Sequence, residues 1–154
     1  MPEPVNPIPS GYTSVTPYLM LADVPTQVRF LTQAFDAIES SRHEAADGTI
    51  MHTQVRLNGA AIMMGPAREP WKPMPASIYV YVVDCDATYA KALAAGATSI
   101  MPPMNMFYGD RQGGVKDCNG NVWWIASHIE DVSEEESQRR ARGHENKPPE
   151  KSGS

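Results

Sequence analysis

A chain of 154 residues and 16.9 kDa has room for one domain with a proper core, or for two small modules sharing one. Its 42% apolar and 20% charged residues are ordinary for a soluble protein, and its apolar runs are far too short to cross a bilayer. A net charge of −5 argues against a nucleic-acid partner, which needs a basic stripe, and the acidity belongs to the body: residues 1–130 carry 8 Lys and Arg against 12 Asp and Glu.

A cationic or neutral ligand is mildly favoured by that balance. The N-terminus lacks the basic and apolar regions of a signal peptide, so a cytoplasmic location is expected. In a reducing compartment Cys85 and Cys118, in no metal-like spacing, read as two free thiols.

Residues 1–11 are proline-rich and predict an extended lead-in. Thr13–Leu21 is rich in β-formers, with Pro17 marking an edge or a bulge. Asp23 caps a helix to about Ala37, whose Val24, Val28, Leu31 and Phe35 recur at helical spacing and whose Pro25 is tolerated in the first turn. Residues 38–46 suggest a strand and Asp47-Gly48 a turn. Thr49–Leu57 then alternates, with Met51, Thr53, Val55 and Leu57 on one face and His52, Gln54 and Arg56 on the other. Asn58-Gly59 turns the chain into a short strand, Ala60–Met64. Residues 65–75, with four prolines and Trp71, form a linker.

The order then repeats. Ser77–Val83 is a strand, Asp84 or Asp86 caps an Ala-rich helix ending at Gly96, and a strand from Thr98 is interrupted by Pro102-Pro103. A closing hairpin follows, turning at Asn119-Gly120, where a type I′ turn would need positive φ at both residues. Asp23 and Asp84 lie 61 residues apart, as do Asn58 and Asn119, which points to a duplicated β-α-β-β-β unit. The expected fold is therefore α+β: module one over about 12–64, the linker, and module two over about 76–130. Residues 131–154 form a polar tail with a short exposed helix over roughly 133–142 and the remainder disordered.

Two such modules, with Val15-Thr-Pro-Tyr-Leu19, Ile50–Leu57 and above all Gly109-Asp-Arg111, Gly114-Val-Lys-Asp117, Asn119-Gly120 and Trp124-Ile-Ala-Ser-His128, resemble the vicinal oxygen chelate superfamily. The resemblance is nearest to its PhnB-like glyoxalase/bleomycin-resistance branch. It implies a homodimer whose modules curl into half-barrels around a cavity; the scaffold carries many chemistries. Its metal-dependent members hold a divalent ion at one first-strand and one last-strand position of each module. Those positions fall here at Thr16, Met63, Ser77 and Trp124, and neither they nor their neighbours supply the nitrogen or carboxylate donors such ions require. No metal and no other cofactor is expected.

Alternation from Thr16 and Ser77 places Tyr18, Met20, Tyr79 and Tyr81 in the cavity beside Met63 and Trp124, with His52, Gln54 and Arg56 as a polar face. Aromatic and Met walls with a few polar groups suit a small, planar or aromatic organic ligand. The ligand-binding set is Thr16, Tyr18, Met20, His52, Gln54, Met63, Ser77, Tyr79, Tyr81, Arg111 and Trp124. Each has a structural alternative: the tyrosines as packing, the methionines as core filler, Arg111 as the partner of Asp110 or Asp117. His52 is the candidate acid–base group, since imidazole titrates near neutrality, while His43, His128 and His144 are too scattered to form a site. Metal-free binding is one reading. An enzyme using His52 with Tyr18 or Tyr81, or an atypical metal site, is another, and a partner module acting through the tail is a third.

Overall fold

The computed structural model describes residues 3–145. Module one runs β1 (Tyr18–Leu21), α1 (Val24–Phe35), β2 (Ile38–Glu44), β3 (Ile50–Leu57) and β4 (Ala60–Pro66). Module two repeats the order as β5 (Ser77–Tyr81), α2 (Cys85–Ala94), β6 (Thr98–Asn105), β7 (Asp110–Lys116) and β8 (Val122–His128), and α3 (Glu134–Glu145) follows. Each module forms one sheet, β1-β4-β3-β2 and β5-β8-β7-β6, with the first strand parallel to the last and the remaining neighbours antiparallel. This is the expected α+β duplication. The 61-residue offset survives into the pairing, since Tyr18 lies opposite Met63 and Tyr79 opposite Trp124.

Asp23 caps α1 by accepting from the Thr26 amide at 3.1 Å, and Asp36, at φ 55°, ends it. The inner face of α1 comprises Val24, Gln27, Phe30, Leu31, Ala34 and Phe35, so a polar residue sits where only apolar ones were expected, and Val28 lies at the margin. Phe30 and Phe35 pack on Trp123 of β8, with ring centroids 6.2 and 5.4 Å apart. Leu19, Leu21, Val55, Leu57 and Met64 join Val80, Val115 and Ile125 in the same core. Full burial of each such side chain contributes about 1.5–3 kcal/mol. The helix-facing sides of both sheets share this core, and the other face of each sheet points away from it.

Several boundaries differ from the sequence expectations. β1 begins at Tyr18, because Pro17 has no N–H, although its carbonyl still accepts from the Met63 amide at 2.9 Å. β6 continues through Pro102-Pro103; it is an edge strand, and its register slips between Met101 and Met104. The expected tail helix spans 134–145, and residues 146–154 lie outside those described.

The two hairpin turns are not alike. Asn58 and Gly59 both have positive φ, 47° and 84°, and form the two-residue turn expected there. In the second hairpin Gly120 has positive φ but Asn119 does not. Asp117 and Asn121 bracket a three-residue loop, Cys118-Asn119-Gly120, as in a type I turn with a bulge, so the type I′ expectation at Asn119-Gly120 is corrected.

The extra residue frees side chains for a buried polar network. Asp117 accepts from the amides of Asn119 and Asn121, from the Trp123 indole and from the Gln27 amide group, all at 2.8–2.9 Å. Asn119 and Asn121 each donate to Gln27 Oε1 at 3.0 Å, and Asn119 also brackets the Asp23 backbone. Among the described residues no buried side-chain polar atom lacks a partner. Gln27 is thus inside the fold because module two completes its hydrogen bonds.

Candidate functional site

On module two the outward face carries Ser77, Tyr79 and Tyr81 from β5, Trp124 and His128 from β8, and Asp110, Gln112 and Gly114 from β7. Trp124 donates its indole N–H to Ser77 Oγ at 2.9 Å, and its benzo edge rests on Gly114, where a Cβ would come within 2.6 Å of the ring. The rings of Tyr79 and Tyr81 follow, 5.2 Å apart.

Both phenols donate to Asp110 Oδ2, at 2.6 and 2.9 Å, and His128 Nδ1 meets Asp110 Oδ1 at 2.9 Å. The other His128 nitrogen meets Asp131 at 2.8 Å, so satisfying both carboxylates calls for the imidazolium. Asp110 is 3% exposed. Burial opposes its ionisation, but hydrogen bonds from Tyr79, His128 and Tyr81 prevail and hold its carboxyl below the ordinary range. His128 is pushed up by Asp110 first and Asp131 second. Tyr79 is raised by burial and then by its bond to Asp110, and Tyr81 chiefly by Asp110, so both phenols stay protonated. The face combines an aromatic wall with a fully paired carboxylate.

On module one, Thr16 and Met63 border a hollow of about 440 Å³ roofed by the lead-in, while Tyr18 and Met20 border one of about 330 Å³ beside the linker and Trp71. The Tyr18 hydroxyl approaches His52 Nδ1 at 3.4 Å, and His43 lies across from His52 with ring centroids 5.9 Å apart. Gln54 and Arg56 are taken by the chain itself: Gln54 donates to the Tyr12 hydroxyl, and Arg56 donates to the Gly11 carbonyl and lies 4.8 Å from the Tyr12 ring centroid. The lead-in therefore lies across this face.

The expected single set of lining residues is thus divided. Thr16, Tyr18, Met20, His52, Gln54 and Met63 belong to one face, and Ser77, Tyr79, Tyr81 and Trp124 to the other. Arg111 belongs to neither. It forks onto Asp86 at the start of α2, at 2.6 and 2.8 Å, rather than reaching a ligand face, Asp110 or Asp117. The turn explains this. A two-residue loop would pair Val115 with Trp124 and bring Arg111 to that side, but the observed pair is Gly114 with Trp124, and one residue of slip turns every β7 side chain over. The same slip hid Asp110 and Gln112. The signal available was the period-two series Asp110, Gln112, Gly114, read in the register of a three-residue loop.

The four positions of the metal-dependent pattern do not fit a divalent ion. Trp124 presents an N–H donor already given to Ser77, Met63 offers only a thioether, and Thr16 adds a neutral hydroxyl. Among the described residues no group of three His, Cys, Asp or Glu side chains is placed to hold a metal ion, and no helix is long and apolar enough to cross a membrane. A cavity of about 620 Å³ lies between the end of α1 and the start of α2 and shares only Tyr81 and His128 with the aromatic face.

The model of the Glyoxalase/Bleomycin resistance protein/Dioxygenase superfamily matches residues 14–125. An uncharacterized protein of Mycobacterium bovis is 32% identical over 136 residues, covering 81% of this chain and 90% of its own. One from Mycobacterium tuberculosis is likewise 32% identical, over 81% and 80%. TioX from Micromonospora sp. ML1 superposes with a TM-score of 0.66 at 26% identity, over 76% of this chain and 99% of that one. A gene product of Arabidopsis thaliana superposes at 0.61 with 23% identity, over 75% and 98%, a likeness of fold alone.

Proposed function

The chain belongs to the glyoxalase/bleomycin resistance protein/dioxygenase superfamily, and from that premise we propose that it is a metal-independent binding protein for a small planar organic molecule. The ligand stacks on Trp124 beside Tyr79 and Tyr81, and a second copy of the chain closes the half-barrel over it. The observation that carries this reading is the Trp124 ring seated on Gly114 and fixed by Ser77, at a position where metalloenzymes of this scaffold would need a ligand atom. Tyr79 and Tyr81 stand 41% and 56% exposed beside it, an aromatic surface with no occupant among the described residues. The phenol protons and both His128 nitrogens are committed to carboxylates, which favours recognition over proton transfer.

A thermal-shift and calorimetric screen of planar aromatic compounds tests the reading. At least one micromolar ligand is expected, with its affinity unchanged by EDTA and lost in Trp124→Ala. A screen with no micromolar ligand, or one stoichiometric metal per protomer in protein purified without chelator, overturns it. Sedimentation should give twice the 16.9 kDa chain mass. The Tyr18–His52 approach favours a second reading, metal-free acid–base catalysis on module one. Loss of turnover of an identified substrate in His52→Ala would establish that instead.

A further inference from the structure

Tyr12 is half-buried in a run whose neighbours, from residue 3 to residue 15, are otherwise exposed. No strand ladder ties this segment to the sheet. Its own bonds are local, Tyr12 N to Pro9 O at 3.1 Å and Ile8 N to Asn6 Oδ1 at 3.0 Å. Its anchorage on β3 runs through one aromatic side chain and one carbonyl. The Gln54 amide donates to the phenol oxygen, the Arg56 guanidinium lies over the ring, and Arg56 also holds the Gly11 carbonyl. Gly11 sits at φ +83°, and a Cβ there would come within 2.7 Å of Arg56 Nη2, so this approach needs glycine. Beneath the segment the hollow bordered by Thr16 and Met63 remains open.

These contacts are what a site for a phenol would provide: a cation over the ring face, an amide donor at the hydroxyl, and a thioether and open space alongside. We propose that Gln54, Arg56 and Met63 form a phenol-binding subsite that Tyr12 fills as a tethered ligand, and that a free phenolic molecule competes with it. The N-terminal segment is then a strap that sets the affinity of this face. A tethered group acts at millimolar effective concentration, so a free phenol meets a mostly closed site and its apparent affinity falls by the open fraction. This subsite is separate from the Trp124 face and stands whether or not that face binds.

The probe is p-cresol, the tyrosine side chain as a free molecule, titrated by calorimetry into the full chain and its variants. Tyr12→Ala should bind p-cresol about tenfold more tightly than the parent chain, the gain expected from removing a competitor that leaves a tenth of the sites open. Adding Arg56→Ala to Tyr12→Ala should abolish the gain, Trp124→Ala should leave it intact, and toluene, lacking the hydroxyl, should bind more weakly than p-cresol. A second measurement needs no variant: saturating p-cresol should speed chymotrypsin cleavage after Tyr12 in the parent chain. Equal p-cresol affinity with and without Tyr12, a gain that survives Arg56→Ala, or cleavage indifferent to p-cresol overturns the proposal.

Discussion

The two modules share a backbone plan but use it differently. In module one the outward face is occupied by the chain's own Tyr12, and its helix is buried along a full side. In module two the outward face is bare around a buried carboxylate, and α2 buries only Cys85 and Ala92. One inserted residue accounts for much of this. β8 is offset from β4 by 61 residues, but β7 is offset from β3 by 60, so Gly114 stands where module one has Gln54. Gln54 reaches out to hold the lead-in, whereas Gly114 leaves room for an indole. A duplicated scaffold can thus divide closure and display between its copies by a change in a single turn.

The sharpest test of that division is the core that both copies share. Trp123→Ala removes the ring under Phe30 and Phe35 and the partner of Asp117, and should cost about 3–5 kcal/mol in urea unfolding. Its repeat-equivalent Ile62→Val should cost only about 1 kcal/mol. Equal costs would mean that α1 does not depend on module two.

Next in size is Asp110→Ala, which removes a hydrogen-bond partner from Tyr79, Tyr81 and His128 and should cost about 1–3 kcal/mol. The pair also has a pH signature. Asp110 is held below its ordinary 3.8, so its share of stability is present above that value and lost as pH falls through the lowered one. His128 is held above its ordinary 6.5, so its share is full below 6.5 and lost as pH climbs through the raised value. Their joint contribution peaks between 3.8 and 6.5, and His128→Gln should flatten the alkaline limb of a Tm–pH profile. Module one has Ile50 and Ala67 at the equivalent positions and adds no such dependence.

Gly114→Ala should lift the Trp124 ring, shift its fluorescence and weaken a stacked ligand by about 1 kcal/mol, roughly fivefold. The smallest effect belongs to the tail. α3 is held by half-exposed ion pairs from Arg140 to Glu130 and Glu136 and by an Arg140 bond to the Phe107 carbonyl, so truncation after Ser133 should leave the thermal midpoint nearly unchanged.

The fold was legible because each of its signals is local: the Asp23 and Asp84 caps, the alternation of β3, β5 and β8, and two landmarks at one spacing. The faces of β1, β3, β5 and β8 followed from that alternation. β7 did not, because Asn119-Gly120 has the composition of a two-residue turn, and only the demand of Gln27 for partners from Asp117 to Asn121 explains the third residue. Tyr12 was illegible for a different reason. A proline-rich lead-in has no periodicity, and nothing in it announces that Arg56 and Gln54, more than forty positions on, will hold its one inserted ring.

The bonds between Gln27 and Asp117 join residues 90 positions apart, and those to Asn119 and Asn121 span 92 and 94. Such distant closures form late and on condition that both partners are already shaped, which ties the halves into one cooperative unit. Cut in the linker, neither half would have its own native state: the first would carry a buried amide with nothing to bond, the second a tryptophan with no helix above it. The repeats that arose as copies have become mutually obligate, and the chain should unfold in a single transition.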